Sequence, residues 1–271
     1  MNIFILFITI CILTTPSVVQ SATCGLDQSY HTAIATWYPG DYQGACGFGP
    51  LFGSTGPHTP YITALSASWF DASTQCGVCF ELTSPYTNKT ITVVATDNCP
   101  DCPEEHHFDL SKDAFAQMAD PSLGRLNNIT WRQVACGNIG SLGISLVKGS
   151  NQYWVGYVIY NSYVGISKVE EQLNGTTEWV NVPRAPYNYF ESKVNHKDQP
   201  YNVRITSILG EQITYQVQKA EPSNLLVKSQ FSADGCAAGK LLIMASGANH
   251  SITVQIIPLI GLIITCTMML L

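Results

Sequence analysis

Short apolar runs at period two alternate along the chain with turns rich in Gly, Pro, Asn and Cys, and one stretch has helical spacing instead. Residues 90–96 predict a strand with Ile91, Val93 and Ala95 on one face, and the same alternation makes Asp97 the next residue of that inward row. After the loop Cys99-Pro100-Asp101-Cys102, the positions Ala114, Phe115, Met118 and Ala119 recur at helical spacing, with Ser111 as N-cap and Pro121 as stop. Asp109 is therefore expected at the opening of a short helix, where an anion is favoured. Residues 32–38, 76–82 and 130–136 read as further strands, and 62–70 as an apolar segment lying against one. Short strands with one helix predict a compact β-barrel of about 115 residues.

A glycine-rich stretch at 137–143 marks a domain boundary. Beyond it, strand-like runs at 144–148, 154–160, 166–172, 178–182, 201–209 and 212–218 are divided by turn signals, which predicts a β-sandwich. The expected organisation is a leader at 1–22, a barrel at 23–140, a sandwich at 143–227, a stalk at 228–250 and a hydrophobic tail at 251–271.

The ends place the protein outside the cell. Residues 3–13 form an apolar core that Pro16 breaks, and Ser21-Ala22 offers small residues for cleavage, as in a secretory signal. Residues 256–271 are apolar apart from Pro258, Gly261 and two Thr, and the run reaches the roughly 20 residues of a spanning helix only if it starts at Ile252. Preceded by Ala245-Ser246-Gly247-Ala248, the same tail also fits a GPI-attachment signal. Either form holds the protein on the outer face of a membrane.

Charged residues make up 12% and hydrophobic ones 46%, which excludes a disordered chain. With 13 Lys and Arg against 19 Asp and Glu, the net charge of −6 provides no basic footprint for nucleic acid. Of 10 cysteines, Cys11 and Cys266 lie in the end segments, and the even remainder behind a secretory signal predicts disulfides. The rival is a structural zinc site, because Cys76-x2-Cys79 and Cys99-x2-Cys102 have its spacing and His106 and His107 lie close by. The oxidising route decides for disulfides and no metal. Sequons at Asn88, Asn128, Asn174 and Asn249 agree with a glycosylated surface.

Ala35-Thr36-Trp37-Tyr38, Gly44-Ala-Cys46-Gly-Phe-Gly, Cys76-Gly-Val-Cys79-Phe-Glu, Val94-Ala-Thr-Asp97-Asn-Cys99-Pro, His107-Phe108-Asp109-Leu110-Ser and Trp131-Arg-Gln-Val-Ala-Cys136 follow one another in an order that resembles the expansin family. The likeness spans residues 24–227 and is stronger in the first domain. It implies an all-β protein: a six-stranded double-psi β-barrel related to family 45 glycoside hydrolases, then an immunoglobulin-like β-sandwich that binds cellulose. It also implies a polysaccharide groove lined by Thr36, Tyr38, Asp97 and Asp109, with Asp109 on the essential carboxylate, and an aromatic platform of Tyr153, Trp154 and Tyr187. Adjacent strand residues face opposite ways, so Tyr153 and Trp154 can share a surface only where the chain is irregular. Cys99 departs from the pattern, standing where some bacterial members have a tyrosine. The implied disulfides are Cys46–Cys76, Cys79–Cys136 and Cys99–Cys102, which leaves Cys24 for Cys236.

Hydrolysis of a glycosidic bond needs an acid and a second carboxylate across the bond. Asp109 is the acid candidate, but the base position of the related hydrolases falls on Gly40, with Asp41 one residue further and facing the other way on a regular strand. The favoured expectation is non-hydrolytic loosening of a cellulose-containing wall or matrix by a monomer whose partner is a β-glucan and which uses no cofactor. The alternatives are an endo-β-1,4-glucanase pairing Asp109 with Asp41 or Asp97, and a carbohydrate-binding surface protein without loosening activity.

Overall fold

In the computed structural model, which describes residues 24–40, 44–49, 55–137 and 139–243, the period-two runs of the first domain become six strands. These are β1 (His31–Tyr38), β2 (Ile62–Ser66), β3 (Cys79–Thr83), β4 (Thr90–Cys99), β5 (His107–Ser111) and β6 (Arg125–Val134). They close into a barrel in the order β1-β5-β2-β4-β3-β6, with β1 and β5 parallel and β2 and β4 parallel. This is the double-psi barrel expected from the motifs. Its interior is filled by Ala35, Leu65, Phe80, Leu82, Val93, Phe108, Leu110 and Leu126. Within the apolar segment 62–70, β2 lies against β4 and β5 and passes directly into a four-residue helix, α1 (Ala67–Phe70).

Helix α2 (Lys112–Met118) begins where the cap signal put it, with the Ser111 Oγ accepting the Ala114 N–H at 3.3 Å. Its buried face of Ala114, Phe115 and Met118 closes the barrel core. Asp109, however, is not at the helix start. It lies inside β5 between Phe108 and Leu110, both 0% exposed, and strand alternation therefore turns it outward.

The second domain is a sandwich of two four-stranded sheets. One has the order β10-β9-β12-β13, from β9 (Ile166–Gln172), β10 (Val180–Val182), β12 (Tyr201–Ser207) and β13 (Gln212–Val217). The other is β11-β8-β7-β14, from β7 (Gly143–Leu146), β8 (Val155–Tyr160), β11 (Phe190–Ser192) and β14 (Ser223–Leu226). Ile144, Tyr157 and Ile159 of one sheet meet Val169, Val203 and Ile205 of the other in one core. The strands β11 and β14, with three and four residues, were not foreseen.

Residues 228–243 do not form the expected stalk. Phe231 is buried in the sandwich core, and Cys236 is bonded to Cys24. The next residues then run back along the barrel. Ala135 donates to the Ala237 carbonyl at 3.0 Å and accepts from Gly239 N–H at 2.8 Å, Lys240 N–H reaches Thr92 Oγ1 at 3.0 Å, and Leu241 packs on Cys79, Val94 and Val134. Only glycine fits at 239, since a Cβ would come within 2.6 Å of Thr92.

The other disulfides are Cys46–Cys76, Cys79–Cys136 and Cys99–Cys102. All four cysteines of the zinc spacing are thus bonded to sulfur, and no thiolate remains among them to ligate a metal. Among the described residues no helix is long and apolar enough to cross a membrane. The leader at 1–22, Asp41, Asn249 and the tail at 251–271 lie outside the described residues.

Candidate functional site

Across the neighbouring strands β1, β5, β2 and β4, the registers line up Thr36, Asp109, Ala64 and Asp97 as one row. Strands are spaced about 4.8 Å apart, so the two aspartates straddle the single methyl of Ala64 with Cα atoms roughly 10 Å apart. A bulge makes this row. Thr63 pairs with Ala95, and an unbroken ladder would set Thr96 against Ala64, but the register slips by one residue and Asp97 stands there instead. The expectation that Asp97 continues the inward row is therefore corrected: Ile91, Val93 and Ala95 are core, whereas Asp97 is half-exposed and β4 runs on to Cys99.

The two carboxylates do different work. Asp97 Oδ1 accepts the N–H groups of Ala45 at 2.7 Å and Asn98 at 2.8 Å, and so holds the loop 44–49 against the barrel. Gly44 permits this contact, because a Cβ there would lie 2.2 Å from the Thr96 carbonyl. Asp109 Oδ1 instead accepts the Thr36 hydroxyl at 2.5 Å. Burial pushes the Asp109 carboxyl above the ordinary range, the Thr36 bond and His107 oppose that shift, and the charge of Asp97 adds to it. The sulfurs of Cys99–Cys102 and a carboxylate oxygen of Asp109 lie within 4.8 Å of one another, so a disulfide forms part of the surroundings that keep water from the acid.

Behind Asp109 stands a residue that the sequence motif contains but periodicity does not single out. His107 is 3% exposed; its Nε2 is 2.9 Å from Thr36 Oγ1 and its Nδ1 is 2.7 Å from Glu104 Oε2. Glu104 Oε1 in turn accepts from Arg125 Nη2 at 2.5 Å. The available signal was parity, since residues 107 and 109 of one strand face the same way. Tyr38 ends β1 opposite Ser111, half-buried, and Gly40 follows with φ +63° in the left-handed region.

Of the three aromatics expected to form a platform, Tyr153 is 62% and Tyr187 66% exposed, while Trp154 is half-buried. Tyr153 lies in a tight turn closed by reciprocal backbone bonds between Asn151 and Trp154, at 2.8 and 3.1 Å, so the regular strand alternation is interrupted there. The Trp154 ring packs over Gly156, where a Cβ would come within 3.0 Å of it. This turn is anchored from below: His196 N–H donates to the Gln152 carbonyl at 2.8 Å, and its buried ring meets Glu171 Oε1 at 3.0 Å. Glu171 also accepts the hydroxyls of Tyr157 and Ser192, so its buried charge is fully hydrogen-bonded.

Tyr187 stands beside the barrel. With Tyr189 it lines a cleft whose other wall is Gly44, Ala45, Gly47 and Gly49, the loop that Asp97 holds. Tyr189, not anticipated from sequence, reaches within 2.8 Å of where a Gly47 Cβ would be. Between the two tyrosines, Asn188 bonds the Cys46 carbonyl and the Ser73 hydroxyl, and the Arg184 guanidinium bonds the Ser73 carbonyl.

The family model for the expansin N-terminal domain matches residues 1–131, and that for the expansin-like protein middle domain matches residues 138–232. Expansin-like protein 1 of Dictyostelium discoideum is 38% identical over 241 residues, covering 87% of this chain and 84% of its own length. Expansin-A25 of Arabidopsis thaliana is 29% identical over 228 residues, covering 76% and 80%. Among solved structures, the apo expansin of Clavibacter michiganensis aligns with a TM-score of 0.67 at 24% identity, over 75% of this chain and 98% of that one. A mutant of the same bacterial protein, crystallised with cellohexaose, aligns with a TM-score of 0.66 at 23% identity.

Proposed function

The chain belongs to the expansin family, and we propose that it loosens cellulose-containing wall or matrix without hydrolysis, by displacing hydrogen bonds between glucan chains. The observation that carries this reading is the outward row of Thr36, Asp109, Ala64 and Asp97, with a glycine in left-handed conformation at the position where the related hydrolases keep their base. The Asp109 carboxylate, held by Thr36, can compete for sugar hydroxyls as a charged acceptor. With Gly40 in the base position, no carboxylate stands there to activate water.

Affinity is assigned to Tyr153, Trp154 and Tyr187. Each ring that covers about 40–60 Å² of sugar face contributes about 1–1.5 kcal/mol. Three give binding near −4 kcal/mol, which is in the millimolar range and lets a protein slip along a polymer. The solved complex with cellohexaose, on a protein of the same fold, supports a glucan as the ligand class. Creep of a cellulose network under load, measured alongside reducing ends, tests the reading: extension without new ends is expected, and ends in proportion to extension overturn it.

One feature favours a second reading. Burial raises the Asp109 carboxyl as a general acid requires, so an endo-β-1,4-glucanase would use it as the proton donor. Reducing ends released by wild type and lost in Asp109→Asn establish that activity; their absence rejects it.

We read the protein as a secreted monomer, held at the cell surface through residues 251–271 and glycosylated at its sequons, of which Asn88, Asn128 and Asn174 are exposed. Truncation after Gly247 is expected to release it into the medium.

A further inference from the structure

The Thr36 hydroxyl has a single proton to give and two titratable neighbours to give it to. Its Oγ1 lies 2.5 Å from Asp109 Oδ1 and 2.9 Å from His107 Nε2. When the hydroxyl donates to Asp109, His107 Nε2 must carry a proton to donate to Oγ1. When it donates to His107, the Asp109 carboxyl must carry one. The second ring nitrogen takes no part in this choice. His107 Nδ1 faces Glu104 Oε2 at 2.7 Å, and Glu104 is kept ionised, its carboxyl drawn down to about 2 by Arg125 first and then by His107.

Two states satisfy both contacts: imidazolium with carboxylate, and neutral imidazole with carboxylic acid. One becomes the other when the Nε2 proton passes to Thr36 Oγ1 and the hydroxyl proton passes on to Asp109 Oδ1. Atoms and charge balance within the three residues. We infer that Thr36 relays a proton between Asp109 and His107, so that the buried imidazole sets whether the groove presents a charged acceptor or a hydrogen-bond donor to a ligand. The ionisable groups facing this chain are Glu104 of the loop before β5, Arg125 of β6 and Asp97 of β4, while β2 contributes only Ala64. His107 is a positioning residue here, since its hydrogen bond toward the groove runs through Thr36.

The inference concerns the free protein and does not depend on the loosening reading, so each can fail without the other. The test is an NMR titration of the whole secreted protein, following the Asp109 carboxyl carbon and the His107 ring nitrogens. In wild type both signals are expected to share the same apparent midpoints, as a coupled pair does. Thr36→Val, which keeps the shape and removes the hydroxyl, should split them into independent curves, and Thr36→Ser should restore the coupling. If the valine variant fails to fold, Asp109→Asn decides: it should lower the His107 midpoint by at least about one unit, roughly tenfold in proton affinity, while Asp97→Asn shifts it less. Independent midpoints in wild type, unchanged curves in Thr36→Val, or a His107 midpoint unmoved in Asp109→Asn each overturn the relay. A purely structural role for His107 would change stability and leave the linkage of midpoints untouched.

Discussion

Asn188 of the sandwich donates its side-chain amide to the carbonyl of Cys46 in the barrel, at 3.0 Å. Both residues are buried, at 3% and 0% exposure, so no solvent replaces the bond if it is lost. The bond fixes Tyr187, one residue earlier, against the loop that Asp97 holds. Asn188→Ala leaves a buried carbonyl without its partner, and a loss of about 1–3 kcal/mol is expected, read as a lower unfolding midpoint in calorimetry. Cellulose binding should change little, since Tyr187 remains, but loosening should fall severalfold because groove and platform no longer hold one alignment. Loosening at wild-type level in a destabilised variant would show that the alignment is not used.

Asp109→Asn keeps the shape of the row and removes its charge. It is expected to abolish network creep while pull-down on cellulose remains within about twofold of wild type, because the aromatic rings lie in the other domain. Comparable loss of binding and creep would instead place the main affinity in the groove.

The same residue makes stability depend on pH. Burial raises the Asp109 carboxyl, so the folded chain holds this proton more tightly than the unfolded chain does. Its contribution is then most favourable below the ordinary aspartate range and is lost as pH rises through the raised folded value. Asp109→Asn removes the buried charge, and its unfolding temperature should exceed that of wild type near about pH 7, with the gap narrowing toward about pH 3. Thermal melts of both proteins across that range check this, and a gap that does not vary with pH refutes the assignment.

Tyr187 is exposed at 66%, so Tyr187→Ala should reduce cellulose binding by roughly tenfold, equivalent to about 1–1.5 kcal/mol, and leave the melting temperature unchanged. Trp154→Ala should lose similar affinity and also some stability, because that ring packs over Gly156. Equal binding by the double variant, with the fold intact, would assign both rings to packing or to a different ligand.

Alternation was a reliable guide wherever the ladder is straight. It places β9 at 166–172, the same residues the structure gives, and the cap signal at Ser111 finds the start of α2. It misplaces Asp97 because a bulge adds a residue that no period-two rule contains, and Asp109 because a cap marks where a helix begins without saying what precedes it. The strands β11 and β14 have only three and four residues, too few for an alternation to register as a pattern. The segment after Val227 is Ser-, Ala- and Gly-containing, which suits a linker and equally suits close backbone packing such as that of Gly239 on Thr92. His107 stays hidden for another reason: its importance lies in a hydroxyl on β1, 71 positions away in sequence.

The return of residues 237–241 to the barrel edge, next to the Cys24–Cys236 bond, also decides how the folded body carries load. Tension entering along the chain from beyond residue 243 meets backbone hydrogen bonds to Ala135 and the side chain of Thr92 first, and then a covalent cross-link to the other end of the domain pair. Traction on the chain beyond residue 243 would therefore peel residues 237–241 from the barrel wall before it reached the cross-linked core.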